Sequence, residues 1–194
     1  MQVYCSMESG RGYIVLQRRV DGSISFHRNW QEYADGFGDL TREFWLGNEK
    51  LRTLTEPASE SWELVVTLTS FDNQEARAHY GGFSITGATY DLDASDFDSG
   101  AGQAGDSLTA LHLRSFTTSN QDNDNSGGLN CGQVFRSGWW FKKCNRVDSN
   151  LNGVYHSSPV VDDYQGIQWV SWKGRRYSLK GCEMKMRRNV VATQ

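Results

Sequence analysis

Trp62-Glu63-Leu64-Val65-Val66-Thr67-Leu68-Thr69-Ser70-Phe71 decides the fold class. It is rich in β-branched and aromatic residues, and Leu64, Val66 and Leu68 recur at every second position, which predicts a strand. Asp72-Asn73 is a turn signal, and residues 75–85 predict a second strand, so the two form an antiparallel hairpin. Upstream, residues 3–5 and 13–20 are strand-like and separated by a Gly10-Arg11-Gly12 turn, and Asp21-Gly22 is a hairpin signal. Asn29 to Ala34 predicts a short helix, capped by Asn29 and stopped by Gly36 and Gly38. Asn48 to Leu54 predicts another, ended before Pro57. Downstream, 167–172 and 176–187 return to strand character. Between them the regular signal fades after about residue 87, and 95–165 is dominated by Gly, Ser, Asn and Asp. The expectation is an α+β domain. An antiparallel sheet with short helices covers about 1–90 and 167–188, and a loop-rich binding subdomain covers about 91–166.

The chain has 194 residues, which suits one domain with a sizeable core. Its 20 glycines against 2 prolines suit many tight turns. The long loop region also carries tryptophans and two cysteines, which argues for order there. A net charge of -3 lacks the basic footprint of a nucleic-acid binder. The run Lys173, Arg175, Arg176, Lys180, Lys185, Arg187 and Arg188 reads as a solvated strand face. No stretch approaches 18 apolar residues, so no membrane span is expected. No leader is legible at Met1-Gln2-Val3-Tyr4, so a processed one would be absent. The 7 Trp, 8 Tyr and 9 Phe are expected mostly in the core, with sugar stacking as the rival use.

Four cysteines, Cys5, Cys131, Cys144 and Cys182, point to disulfides and an oxidising compartment. Three pairings are open. A local Cys131–Cys144 bridge would pin the Trp139-Trp140 segment and leave Cys5 to Cys182. The alternative leaves Cys5 unpaired, its natural partner lying upstream. No CxxC occurs and the four histidines are scattered, which disfavours zinc.

Gln121-Asp122-Asn123-Asp124-Asn125-Ser126-Gly127-Gly128-Leu129 is the most informative stretch for chemistry. Two carboxylates and a hydroxyl at alternate positions of a Gly-rich turn suit a hard cation, which takes six to eight oxygens. The twelfth position from Asp122 is Gln133, and no helices flank the loop, so it is not an EF-hand. A second acidic set, Asp91, Asp93, Asp96 and Asp98, reads as a solvated loop. No GxSxG, HExxH or GxxxxGK[ST] motif is present, and a binding module is expected, not an enzyme.

An ordered series of motifs from Val3 to about Arg187 resembles the fibrinogen C-terminal domain. It includes Val3-Tyr4-Cys5-Ser6-Met7, Gln17-Arg18-Arg19-Val20-Asp21-Gly22, Gly36-Phe37-Gly38 and Glu43-Phe44-Trp45-Leu46-Gly47-Asn48-Glu49. Further along come Ala104-Gly105-Asp106-Ser107-Leu108, Asp122-Asn123-Asp124-Asn125, Gly138-Trp139-Trp140, Asn150-Leu151-Asn152-Gly153 and Trp169-Val170-Ser171-Trp172-Lys173. The resemblance implies a single domain over 1–190 that lacks most of the family's N-terminal subdomain. It matches Cys131–Cys144 to the family's loop disulfide. The family pairs the other Cys upstream and usually has none at Cys182, which favours a Cys5–Cys182 bridge here.

The resemblance also implies a Ca²⁺ site. Its ligands would be the side chains of Asp122 and Asp124 and the carbonyls of Ser126 and Gly128, with Leu129 as the alternative second carbonyl. Beside it the family's ligand pocket maps to Phe135, Trp140, Lys143, Cys144, Asn145, Asp163 and Tyr164. An aromatic cup of Phe135, Tyr164 and Trp140 and a cis Lys143–Cys144 bond are expected with it. Several positions depart from the acetyl-binding members: Phe135 lacks a hydroxyl, Asn145 cannot become cationic, and Asp163 adds a carboxylate. The implied function is a secreted, extracellular, calcium-binding pattern-recognition lectin of innate immunity for microbial glycans. These include N-acetylated sugars, peptidoglycan and lipopolysaccharide. The alternative is a protein- or peptide-binding module, which Asp163 favours, since a carboxylate receives an amino terminus or Arg. Oligomerisation would come from regions outside this chain.

Overall fold

The computed structural model describes residues 1–57 and 60–189. In chain order it contains β1 (Tyr4–Glu8), β2 (Arg11–Arg19), α1 (Trp30–Asp35), β3 (Phe37–Gly38), β4 (Phe44–Trp45), α2 (Asn48–Thr55), β5 (Trp62–Thr69), β6 (Glu75–Thr86) and β7 (Asp91–Phe97). A 3₁₀ turn at Thr109–Leu111 comes next, then α3 (Cys131–Val134), β8 (Ser149–Asn150), β9 (Gln168–Trp169), α4 (Val170–Lys173) and β10 (Gly181–Arg188).

The main sheet runs β3-β4-β2-β10-β5-β6-β7, with β1 added alongside β2, and its pairings are antiparallel. The expected hairpin is β5 and β6, in register from Leu64 opposite Tyr80 to Thr69 opposite Glu75. The late strand β10 enters between β2 and β5, so the two ends of the chain meet inside the sheet. Buried side chains from β5, including Leu64, Val66 and Leu68, face the core in every second position.

Local chemistry sets the helix ends. Asn29 Oδ1 accepts the Glu32 N–H while Glu32 Oε2 accepts the Asn29 N–H, a reciprocal capping box for α1. Gly36 ends that helix at φ 89°, where a Cβ would lie 2.3 Å from the Leu46 carbonyl oxygen. Only glycine fits that approach.

Three sequence expectations are corrected. Residues 91–97 form edge strand β7, so the sheet extends past 90 and the acidic set is not a plain loop. Asp91 and Asp93 alternate with buried Leu92 and Ala94. Residues 167–172 hold only a two-residue strand before α4. Asp21-Gly22 makes no hairpin. The turn wraps instead around the buried Glu43 carboxylate, which accepts N–H groups from Val20, Asp21, Gly22 and Ile24 at 2.8, 3.2, 3.0 and 2.9 Å.

The Cys5–Cys182 bridge is also overturned: both are free thiols, Cys5 exposed and Cys182 buried. Register explains it. Cys5 sits opposite Ile14 on β2, whereas Cys182 sits opposite Arg19, five residues along that strand, and β1 and β10 pair with β2 separately. At about 3.3 Å per residue the offset is roughly 16 Å, against the ~7 Å limit for Cα atoms of a disulfide. Burial pushes the Cys182 thiol up to about 12. Iodoacetamide on the native protein at pH 8 is expected to modify Cys5 alone, and both thiols once the chain is unfolded. A Cys5–Cys182 peptide in a non-reducing map would contradict this arrangement.

The loop-rich half is held on the sheet by aromatic packing. Tyr33, Trp45, Phe116, Trp139 and Trp140 are each at most 1% exposed. Phe116 meets Trp140 edge-on at 5.1 Å, and Trp139 meets Trp140 at 5.0 Å. Trp140 Nε1 donates to the Tyr90 carbonyl at 2.7 Å. Buried amides close the junction: Gln17 Nε2 donates to Leu151 O at 2.9 Å and Asn152 Nδ2 to Gly138 O at 2.9 Å.

Candidate ligand-binding site

The acidic loop is anchored from below by Asn123. Its N–H donates to Thr117 Oγ1 at 3.1 Å and its Nδ2 to Phe116 O at 2.7 Å. With Asn123 turned inward, Asp122 is exposed and Asp124 half-buried. Asp124 organises the segment from Ser126 to Cys131: Oδ1 accepts the Ser126 N–H at 2.6 Å and Oδ2 accepts the Cys131 N–H at 2.8 Å. Asp122 Oδ1 accepts the Asp124 N–H at 3.2 Å.

Burial raises the Asp124 carboxyl above the usual carboxylate range, the two backbone N–H donors oppose this, and the adjacent Asp122 carboxylate adds to it. Among the described residues neither carboxylate has a Lys or Arg partner within ion-pair distance. Two neighbouring, uncompensated carboxylates on a turn with flexible glycines fit a hard divalent cation. Ser126 O accepts the Leu129 N–H at 3.3 Å and keeps a second lone pair, while Gly128 stands at φ 87° in open space. Asp124 also approaches the sulfurs of Cys131 and Cys144. Those sulfurs are bonded to each other, so they offer no thiolate for a soft metal.

The Cys131–Cys144 disulfide spans 13 residues and brings the Cα atoms to 5.1 Å. It starts at α3, whose cap Asn130 accepts the Gln133 N–H at 3.1 Å. Gly132 is needed there, because a Cβ would lie 2.4 Å from the Thr118 carbonyl carbon. The two loops are stitched together directly. Asn125 N–H donates to Lys142 O at 3.1 Å, and Cys144 N–H donates to Ser126 Oγ at 3.2 Å.

Between them lies a groove of about 450 Å³ lined by Asn125, Ser126, Gly127, Leu129, Lys143 and Asn145. Of the expected pocket residues, Lys143 and Asn145 line it, with Cys144 between them in the chain. The aromatic cup does not form. Trp140 is fully buried, and Phe135 is 4% exposed and packs on Phe141 at 5.4 Å. Both rings turn inward because the loop's own core needs apolar filling. The Lys143–Cys144 bond is trans, since no cis peptide occurs among the described residues. Lys143 O accepts the Arg146 N–H at 3.2 Å, so the peptide groups on either side are satisfied in that form.

Asp163 and Tyr164 lie on a separate turn and do not line the groove. Asp163 is paired with Arg175 Nε at 3.2 Å and Arg176 Nε at 3.5 Å, and the Tyr164 N–H donates to Arg175 O at 2.7 Å. Sequence reasoning missed Asn125 and Gly127 as lining residues. Their signal was adjacency to the Asp122–Asp124 pair. It offered Leu129 only as a carbonyl donor, although its side chain, 58% exposed, lines the groove.

Comparison with known proteins agrees with this architecture. The family described as fibrinogen beta and gamma chains, C-terminal globular domain, matches residues 1–189. Fibrinogen C domain-containing protein 1 of Mus musculus is 43% identical across 96% of this chain and 40% of its own length. Ryncolin-4 of Cerberus rynchops is 42% identical across 96% of this chain and 53% of its own length. The chain thus spans about half the length of these relatives. The fibrinogen-like globe domain of human ANGPTL2 superimposes with a TM-score of 0.88 at 35% identity, over 96% of this chain and 85% of that one. A lamprey fibrin D-dimer solved with the peptide Gly-His-Arg-Pro-amide gives 0.84 at 34% identity, over 95% of this chain and 63% of that one. From the β5–β6 hairpin to the stitched loops of the groove, this chain belongs to the fibrinogen C-terminal globular domain family.

Proposed function

We propose that this domain is a secreted, calcium-binding lectin module that recognises N-acetylated glycans of microbial surfaces in innate defence, and that it carries out no turnover. The observation that supports it best is the groove's lining: two carboxamides, a hydroxyl, one ammonium and one exposed leucine, with no carboxylate. Amides and hydroxyls match sugar hydroxyls, Lys143 matches an acetyl carbonyl or an acidic sugar, and Leu129 offers apolar surface for an acetyl methyl. The peptide alternative drew on Asp163, but Arg175 and Arg176 already occupy that carboxylate. The lamprey fibrin neighbour with its peptide keeps a small-peptide ligand as the rival to be tested. The loop disulfide supports an oxidising, extracellular setting. Among the described residues no helix is long and apolar enough to cross a membrane.

Ca²⁺ would be held by Asp122 and Asp124 with loop carbonyls, neutralising the paired carboxylates. This chain's own residues carry the consequence to the groove. Asp124 holds the N–H groups of Ser126 and Cys131, and Ser126 holds that of Cys144. Asp122→Ala with Asp124→Ala is expected to lower the melting temperature by several degrees and weaken glycan binding about tenfold or more. The measurement is binding to peptidoglycan- and lipopolysaccharide-coated surfaces, with N-acetylglucosamine as competitor. Binding unchanged in excess chelator would reject the calcium linkage. Binding that N-acetyl sugars fail to displace would reject the lectin assignment. Single-sugar affinity is expected to be weak, so multivalent surfaces are the right target.

A further inference from the structure

A second cleft, of about 320 Å³, shares no lining residue with the groove. It lies where the Gly22–His27 turn faces residues 152–155 and Arg136. Three basic side chains line it, Arg19, His27 and Arg136, and no carboxylate does. Ser23, Ser25 and Tyr155 add hydroxyls to the same wall.

The carboxylates of Asp21, beside the turn, and Glu43, beneath it, are already committed. Asp21 pairs with Arg42 at 2.7 Å. Glu43 is fully buried and accepts four backbone N–H groups of the turn. Arg19 is 3% exposed. It stacks on Phe26 with its guanidinium carbon 3.9 Å from the ring centroid, and Nη1 donates to Leu151 O and Gly153 O at 3.2 and 2.7 Å. Its Nε stays without a hydrogen-bond partner, 3.7 Å from Glu43 Oε1. That nitrogen faces the Glu43 carboxylate, so Arg19 closes the back of the cleft as one half of a buried ion pair. Arg136, in contrast, is exposed and has no ion-pair partner among the described residues. It sits one residue beyond the Phe135 cap of α3 at φ 51°, a left-handed position where glycine or asparagine is the usual occupant.

We infer that this cleft is a second ligand site, for a sulfate or phosphate monoester carried on a saccharide. A tetrahedral oxyanion would take charge-assisted hydrogen bonds from Arg136 and a further one from a ring N–H of His27, with the Ser23 and Ser25 hydroxyls completing its shell. The buried Arg19–Glu43 pair forms the floor of the cleft, and the cation free to meet the anion is Arg136. The site does not depend on the groove's assignment, because none of its residues belongs to it.

The test uses the whole chain with three probes: glucose 6-sulfate, glucose 6-phosphate and glucose. Affinity is read by calorimetry and location by ¹⁵N amide shifts. Both esters are expected to bind and glucose not, with shifts concentrated at 22–27 and 152–155. The preferred ester identifies whether sulfated or phosphorylated glycans are the natural class. His27→Gln with Arg136→Gln is expected to weaken ester binding about tenfold or more, while Arg11→Gln, an exposed cation elsewhere, changes it less than twofold. Both altered side chains are exposed, and a thermal melt verifies folding. Equal binding of glucose, shifts confined to 125–129 and 143–145, an unaffected double variant, or no ester binding at millimolar concentration would each overturn the inference.

Discussion

A Glu43→Ala variant is expected to lose about 3–5 kcal/mol of stability, a large share of the roughly 5–15 kcal/mol available to a domain. Glu43 is fully buried, and its two oxygens serve Val20, Asp21, Gly22 and Ile24. Removing it strands those N–H groups and leaves Arg19, 3.7 Å away, without its countercharge. Burial already pulls the Arg19 guanidinium below its ordinary value, so the loss of that countercharge falls on a group with little solvent to replace it. Glu43→Gln keeps one carbonyl acceptor and is expected to cost about half as much. Adding Arg19→Met to Glu43→Ala is not expected to restore stability, because the four donors stay unpaired. Urea unfolding of the three variants measures this. A loss below about 0.5 kcal/mol for Glu43→Ala, on the scale of ordinary surface substitutions, would show that the turn is not organised by the carboxylate.

Replacing Cys131 and Cys144 together by serine is expected to cost about 3 kcal/mol, the loop-closure contribution of a bridge of this span. For a chain of this size that corresponds to a fall of roughly 6–12 °C in melting temperature. The bridge joins the start of α3 to the segment bearing Lys143 and Asn145. Its loss would also free the Cys144 N–H from Ser126 and the Cys131 N–H from Asp124. Amide hydrogen exchange at 125–131 and 142–146 is therefore expected to rise well before global unfolding. A melting shift under about 2 °C, or no added exchange in these two segments, would show that hydrogen bonds alone hold the groove.

Features written in local chemistry were legible in the chain. The β5–β6 hairpin is spelled by alternating residues around Asp72-Asn73, and α1 by Asn29 and Glu32, because each rests on neighbours within a few residues. Family motifs added the Cys131–Cys144 bridge, which the structure contains. Strand β7 was hidden because its alternation runs through aspartates, whose composition imitates a loop. The pairing with β6 and the Leu92 exchange with Leu113 and Arg114 hold it in place.

What only the tertiary structure decided depends on register and on competition for the interior. Cys5 and Cys182 both look available for a bridge until the strand pairing sets them five residues apart along β2. Trp140 and Phe135 look like a sugar platform until the loop subdomain, poor in aliphatic residues, takes them for its core. Asp163 looks like a free acceptor until Arg175 and Arg176 arrive from across the turn. By itself the sequence determined the β5–β6 hairpin, the first helix and the residues of the acidic loop. It could not say which polar groups remain uncommitted after folding, because each choice of partner is made across distances the local pattern does not encode.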